Sequence, residues 1–101
     1  MNEGAQLTTA TLAKQLASSD YTITEMPDGT GVLLDLRQEV VMNFNATGMF
    51  IVASVTQGLE AAQIVRRVVE RFDVDTDTAT RDVDGFLDTL AAAMGVVLPP
   101  G

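Results

Sequence analysis

Two short apolar runs, Val32 to Leu36 and Val40 to Phe44, are separated by only three polar residues, Arg37, Gln38 and Glu39. A parallel pair needs a long crossover, so strands this close in sequence have to be antiparallel neighbours. Asn45 follows directly, a residue type whose side chain caps helix N-termini, and after it comes a stretch suited to a helix. Whatever lies beyond Phe44 must therefore turn back as helix and cover one face of a small sheet.

Upstream, Tyr21 to Glu25 alternates Tyr21, Ile23 and Glu25 against Thr22 and Thr24, the period of a half-buried strand rich in β-branched and aromatic residues. Pro27, Asp28 and Gly29 mark a turn into the next run, which gives a three-strand meander. The two-residue period puts Val40, Met42 and Phe44 inward and Val41 and Asn43 outward. The last strand, Val40 to Phe44, is then an edge, and it carries neither the Lys nor the Pro that commonly blunts one. Residues 1–20 read as an arm or short helix: the first ten are small and polar, and Leu12 and Leu16 lie one helical turn apart in Thr11 to Ala17.

Three helices are expected after the sheet. The first runs from Ala46 to Thr56, turns Phe50, Ile51 and Val55 inward and stops near Gly58. The second, Leu59 to Phe72, has an apolar stripe of Leu59, Ile64, Val65, Val68 and Phe72 opposite Glu60, Arg66, Arg67, Glu70 and Arg71. The third opens at Asp75 and buries Ala79, Val83, Phe86, Leu87, Leu90 and Met94, with Gly85 on the far side. Gly95, Pro99 and Pro100 end it. The fold class is α+β, a three-stranded antiparallel sheet followed by three helices in the outline of a winged helix.

Composition closes off much chemistry. The chain of 101 residues has no cysteine and no histidine, which removes disulfides, thiolate nucleophiles and the commonest general base and metal ligand. Ser18, Ser19 and Ser54 lack the setting of a nucleophile. The reading is a protein that is not an enzyme and uses no cofactor. Its net charge of −8 is divided evenly along the chain, which opposes binding to phosphate backbones. Apolar runs such as Met49 to Ala53 are far short of the roughly 20 residues needed to span a bilayer. The N-terminal MNEGAQLTT has no secretory pattern, so no membrane partner and a cytoplasmic location are expected.

Three further patterns have competing readings. Asp73, Asp75, Asp77 and Asp84 fall at calcium-loop spacing, but Thr78 stands where such a loop needs Gly and Asp84 where it needs Glu. Acids capping a helix account for the same letters. Arg66, Arg67 and Arg71 would suit a winged-helix DNA-binding regulator, but on a chain this acidic they read as a solvated face. Met42, Met49 and Met94 read as core fillers.

With the elements in place, the chain resembles the PqqD-like family of stand-alone recognition domains. The resemblance covers about Tyr21 to Val97, within a domain drawn at 21–98. It is carried by Gly31-Val32-Leu33-Leu34-Asp35, by Phe44-Asn45-Ala46-Thr47-Gly48, and by Asp82-Val83, Phe86-Leu87, Leu90 and Gly95-Val96-Val97. The Asn-x-Thr-Gly junction is more similar to versions from lasso-peptide pathways than to the quinone-cofactor version, which tends to have Asn-Glu-Thr-Ala. The sequence departs from the pattern at Phe44, Ala46, Gln38-Glu39 and Val41-Met42, where Leu, Pro, Gly and aromatic residues are usual.

The resemblance implies a protein that binds the leader of a ribosomally synthesised precursor peptide as an added strand and delivers it to a leader protease or other tailoring enzyme. The expected contacts are Val40, Val41, Met42, Asn43 and Phe44 on the edge. Val83, Phe86, Leu87 and Leu90 would line the pocket, with Asp82 at its rim. An apolar helix following an open edge is what strand-addition binding needs on physical grounds as well. The alternatives are a PqqD-type chaperone of another modified-peptide or quinone-cofactor pathway, and the DNA-binding regulator. An open edge can also pair with its own copy, so a homodimer through Val40 to Phe44 would compete with peptide.

Overall fold

A computed structural model describes residues 3–96, with side chains from Thr9 onward; the expected stops at Pro99 and Pro100, and Val97, lie outside the described residues. The elements in order are α1 (Glu3–Leu16), β1 (Tyr21–Glu25), β2 (Gly31–Asp35), β3 (Val40–Phe44), α2 (Ala46–Thr56), α3 (Ala61–Phe72) and α4 (Thr76–Met94). The sheet is an antiparallel meander of order β1-β2-β3, and three helices follow it as expected.

The first element is a helix longer than the short one expected over Thr11 to Ala17, and it takes in residues expected as an arm. Helix α1 starts at Glu3, and Thr9, Leu12 and Leu16 are buried against the other helices and β1. Its stripe is Thr9, Leu12, Ala13 and Leu16 at helical spacing. A threonine opens that stripe, which hydropathy alone does not register.

Strand β2 ends at Asp35 rather than Leu36. The Asp35 carboxylate accepts the backbone N–H groups of Arg37 and Gln38 at 3.0 and 3.2 Å, which turns the chain one residue early and leaves Leu36 exposed. Glu39 completes the turn in the left-handed region, at φ 58°. Helix α3 begins at Ala61 because Glu60 and Gln63 form a reciprocal capping box, and it ends at Asp73, a left-handed C-cap.

The core gathers the inner face of the sheet and one stripe from each helix. Tyr21, Leu33 and Phe44 meet Leu12, Met49, Ile51, Val52, Val55, Ile64, Val68, Val83, Leu90 and Met94. Of the residues expected to point inward from α2, Ile51 and Val55 are buried. Phe50 is half-buried, in an edge-to-face contact with Phe72 at 5.4 Å between ring centroids. A side chain at Gly31 would collide with the Met49 thioether, which would have to move aside to admit it.

Candidate functional site

The ladder shows which backbone groups of β3 are open. Outside the strands proper, Leu36 N–H donates to the Asp20 carbonyl and Met26 N–H to the Thr30 carbonyl, both on the β1 side of β2. Backbone direction alternates along a strand, so Thr30, Val32, Leu34 and Leu36 bond toward β1, while Gly31, Leu33 and Asp35 bond toward β3. Their partners there are Phe44, Met42 and Val40. The N–H and C=O groups of Val41 and Asn43 therefore point away from the sheet, along an edge that no other strand pairs among the described residues. Two residues with one donor and one acceptor each can hold one extended segment by four main-chain bonds.

The side chains of β3 mostly follow the expected alternation. Val41 is 58% exposed, Asn43 is exposed, Phe44 is buried and Met42 half-buried. Val40 is a correction: it shares the inner side with Met42 and Phe44 but is 38% exposed. As the last rung of an edge strand it has a neighbouring strand on one side only.

Helix α4 lies along this edge and is tied to it at both ends. Near the end of β3 the Phe44 and Phe86 rings meet edge to face, with centroids 5.6 Å apart. At the hairpin end Gln38 and Arg37 reach the carbonyls of Ala93 and Met94. From Phe86 to Met94 the helix advances about 12 Å at its usual rise, close to the roughly 13 Å length of β3. At about 100° per residue Asp82, Phe86, Thr89 and Ala93 fall within one narrow stripe. Asp82 and Thr89 are exposed, and Phe86 and Ala93 are half-buried.

The other expected pocket residues on α4 are placed differently. Val83, Leu87 and Leu90 belong to the adjacent stripe and are 0%, 2% and 0% exposed, packed in the core rather than open along the edge. Their spacing marks an apolar face, but one helix has room for both a core stripe and a more exposed one, and the larger aliphatic residues lie in the core. Thr89 and Ala93 were not singled out because nothing in a threonine or an alanine distinguishes a cleft from a solvated face. Their spacing from Phe86 was the available signal.

Gly48 completes the arrangement. A Cβ there would come within 2.8 Å of the Phe86 Cε1 atom, so the glycine of the Asn-x-Thr-Gly junction leaves room for the Phe86 ring to lie on α2. Asn45 caps α2, its side-chain oxygen accepting from Gly48 N–H at 2.8 Å. The junction thus positions Phe86, whose ring meets Phe44 of the edge strand.

The remaining patterns fall elsewhere. Asp75 caps α4 by accepting from Thr78 N–H at 2.7 Å, and Asp73 is the C-cap of α3. Among the described residues no three acids converge on a metal-sized site. Arg66, Arg67 and Arg71 are exposed on α3. Arg66 borders a groove of about 470 Å³ on the opposite flank of α4, with Ala61, Val65, Thr76, Thr80 and Asp84. Met49 and Met94 are core residues, and no helix of the described residues is long and apolar enough to cross a membrane.

The sequence profile of the family "Coenzyme PQQ synthesis protein D (PqqD)" matches residues 30–94, which span β2 to the end of α4. The chain belongs to the PqqD family. The matched segment contains the open edge, the junction and the stripe of Asp82, Phe86, Thr89 and Ala93. Among solved structures, this PqqD-family chain is similar to TbiB1 in complex with the TbiA(beta) leader peptide. The identity is 28% and the TM-score 0.69, over 75% of this chain and 87% of that one. A lasso peptide synthetase B1 complexed with the leader peptide has the same fold at 24% identity and a TM-score of 0.66, over 81% of this chain and 94% of that one. No curated protein matches the chain.

Proposed function

We propose that this PqqD-family protein is a recognition element for ribosomally synthesised peptides. It binds the leader of a precursor by adding it as a strand to β3, and delivers the precursor to a leader protease or other tailoring enzyme of lasso peptide biosynthesis. The observation that carries the reading is the open edge of Val41 and Asn43, with the amphipathic stripe Asp82, Phe86, Thr89 and Ala93 on the helix joined to it at Phe44 and the hairpin. Main-chain bonds hold the segment whatever its sequence, and the side chains along α4 choose among segments. The similarity to proteins solved in complex with leader peptides supports the same reading.

Within the site, Val41 and Asn43 supply the main-chain bonds, while Val40, Met42 and Phe44 hold the strand on β2. Phe86 offers an aromatic surface and Asp82 a charge at the rim. Val83, Leu87 and Leu90 hold α4 in place from the core side. The protein binds and presents; a chain without histidine or cysteine has little with which to cut or join peptides.

The test uses calorimetry with synthetic leader segments taken from any short peptide reading frames found beside this protein's gene. Val41→Pro removes one outward donor without touching a bond to β2, so a folded variant should lose at least tenfold in affinity. Unchanged affinity in that folded variant would overturn strand addition at β3.

A further inference from the structure

The hairpin turn between β2 and β3 is fastened to the last turn of α4 by two long side chains. Arg37 Nη2 donates to the Tyr21 hydroxyl at 2.7 Å and to the Met94 carbonyl at 3.0 Å, with its guanidinium carbon 5.6 Å from the centre of the Tyr21 ring. Gln38 Nε2 donates to the Asp35 carboxylate at 2.7 Å and to the Ala93 carbonyl at 3.1 Å. Asp35, only 3% exposed, also accepts the backbone N–H groups of both residues, so one buried carboxylate fixes the conformation from which both side chains reach out.

The final carbonyls of a helix have no amide of their own helix to bond, and a cation there complements the helix dipole. Helix α4 has no basic residue in its last turn. Arg37 supplies the missing cation from another element. Capping alone needs no particular partner, and a lysine or arginine within α4 would serve. A cap delivered from the β2–β3 turn does something further, because that turn leads directly into the open edge. With Phe44 against Phe86 at the other end, β3 and α4 are pinned at both ends of the cleft.

We propose that Arg37 and Gln38 are positioning residues for leader binding: by holding the hairpin on the Ala93 and Met94 carbonyls they fix the spacing of β3 and α4 into which the peptide inserts. The inference rests on the peptide-binding reading above. Binding to a cleft already at the right width costs less ordering than binding to one that must be gathered in, so losing the clamp lowers affinity without removing any contact with peptide. Both residues are exposed and neither belongs to the hydrophobic core, so their replacement leaves the fold intact.

The experiment compares the native chain with the double variant Arg37→Met, Gln38→Ala and with Arg37→Lys. The first measurement is the affinity of each for the synthetic leader described above, at a temperature where circular dichroism shows all three folded. The second is the distance distribution between spin labels in the free protein, attached through Val41→Cys and Ala92→Cys, which is site-specific because the chain has no cysteine of its own. The double variant should bind at least tenfold more weakly and give a broader distribution, and Arg37→Lys should recover part of both.

Native binding with affinity and distribution unchanged in the folded double variant would overturn the clamp alone. A native protein that leaves the leader unbound would overturn the peptide-binding reading, and the inference with it.

Discussion

At the scale of single residues, the site depends on fit around Phe86. Gly48 is the clearest case, because an added methyl there meets the Phe86 ring at 2.8 Å and the Asn45 side-chain oxygen at 3.2 Å. Gly48→Ala must therefore move the ring toward the cleft or shift α2. Overpacking of this kind commonly costs about 1–3 kcal/mol. The expected outcome is a lower melting temperature together with a several-fold loss of leader affinity, read by thermal denaturation and calorimetry. A second residue-scale consequence concerns acid. Burial pushes the Asp35 carboxyl up, but hydrogen bonds from the Gln38 side chain and amide and from the Arg37 amide, with the Arg37 charge, outweigh it and hold it below the ordinary 3.8. A carboxylate lowered in the native state binds fewer protons there than in the unfolded chain. Its contribution is thus present above the ordinary carboxylate range and lost as pH falls through the native value. Melting curves between pH 7 and pH 2 should show Asp35→Asn less stable at neutral pH, with a shallower acid decline than the native protein. Asp28 and Asp75, also lowered by hydrogen bonds within their own turns, keep part of that decline in the variant.

At the scale of elements, strands and helices differ in how much of themselves a sequence reveals. The short turn between β2 and β3, the Asn45 cap and the Gly95 stop were legible because each rests on local chemistry that no distant contact overrides. The open edge was legible for the same reason: a meander of three strands has to have two. Helix α1 was legible only in part: Leu12 and Leu16 mark a short helix, but its full length and burial are decided by docking against elements far along the chain, and one of its inward residues is a threonine. Since Leu12 is fully buried, Leu12→Ala should cost about 2–4 kcal/mol, measurable by urea denaturation. An arm lying loosely on the surface would lose almost nothing. Within the candidate site, the strand residues were legible from alternation. The division of α4 into a core stripe and a cleft stripe was not, since it depends on where β3 comes to rest beside the helix. The clamp was hidden in the same way: Arg37 and Gln38 read as turn residues, and their partners are carbonyls 57 and 55 positions away.

At the scale of the whole molecule, the charge of −8 limits what can drive association. Binding to a polyanion weakens steeply with salt because counterions are released, whereas main-chain bonds and apolar contacts are nearly indifferent to it. Raising sodium chloride from about 50 to 200 mM, a range over which phosphate-driven complexes lose orders of magnitude, should change leader affinity by less than about threefold. A steep loss would point to charge as the main attraction. The arrangement of the molecule also separates two tasks. The bonds from Arg37 and Gln38 end on main-chain oxygens, which every amino acid carries, while under the proposed function the positions that would meet an incoming segment are side chains on the neighbouring stripe. Exchanging Asp82, Thr89 or Ala93 for other residues leaves those anchors in place. On the proposed function the frame is a constant mount for an interchangeable reading surface, and retargeting such a protein to a new precursor would be a matter of a few substitutions on one helix.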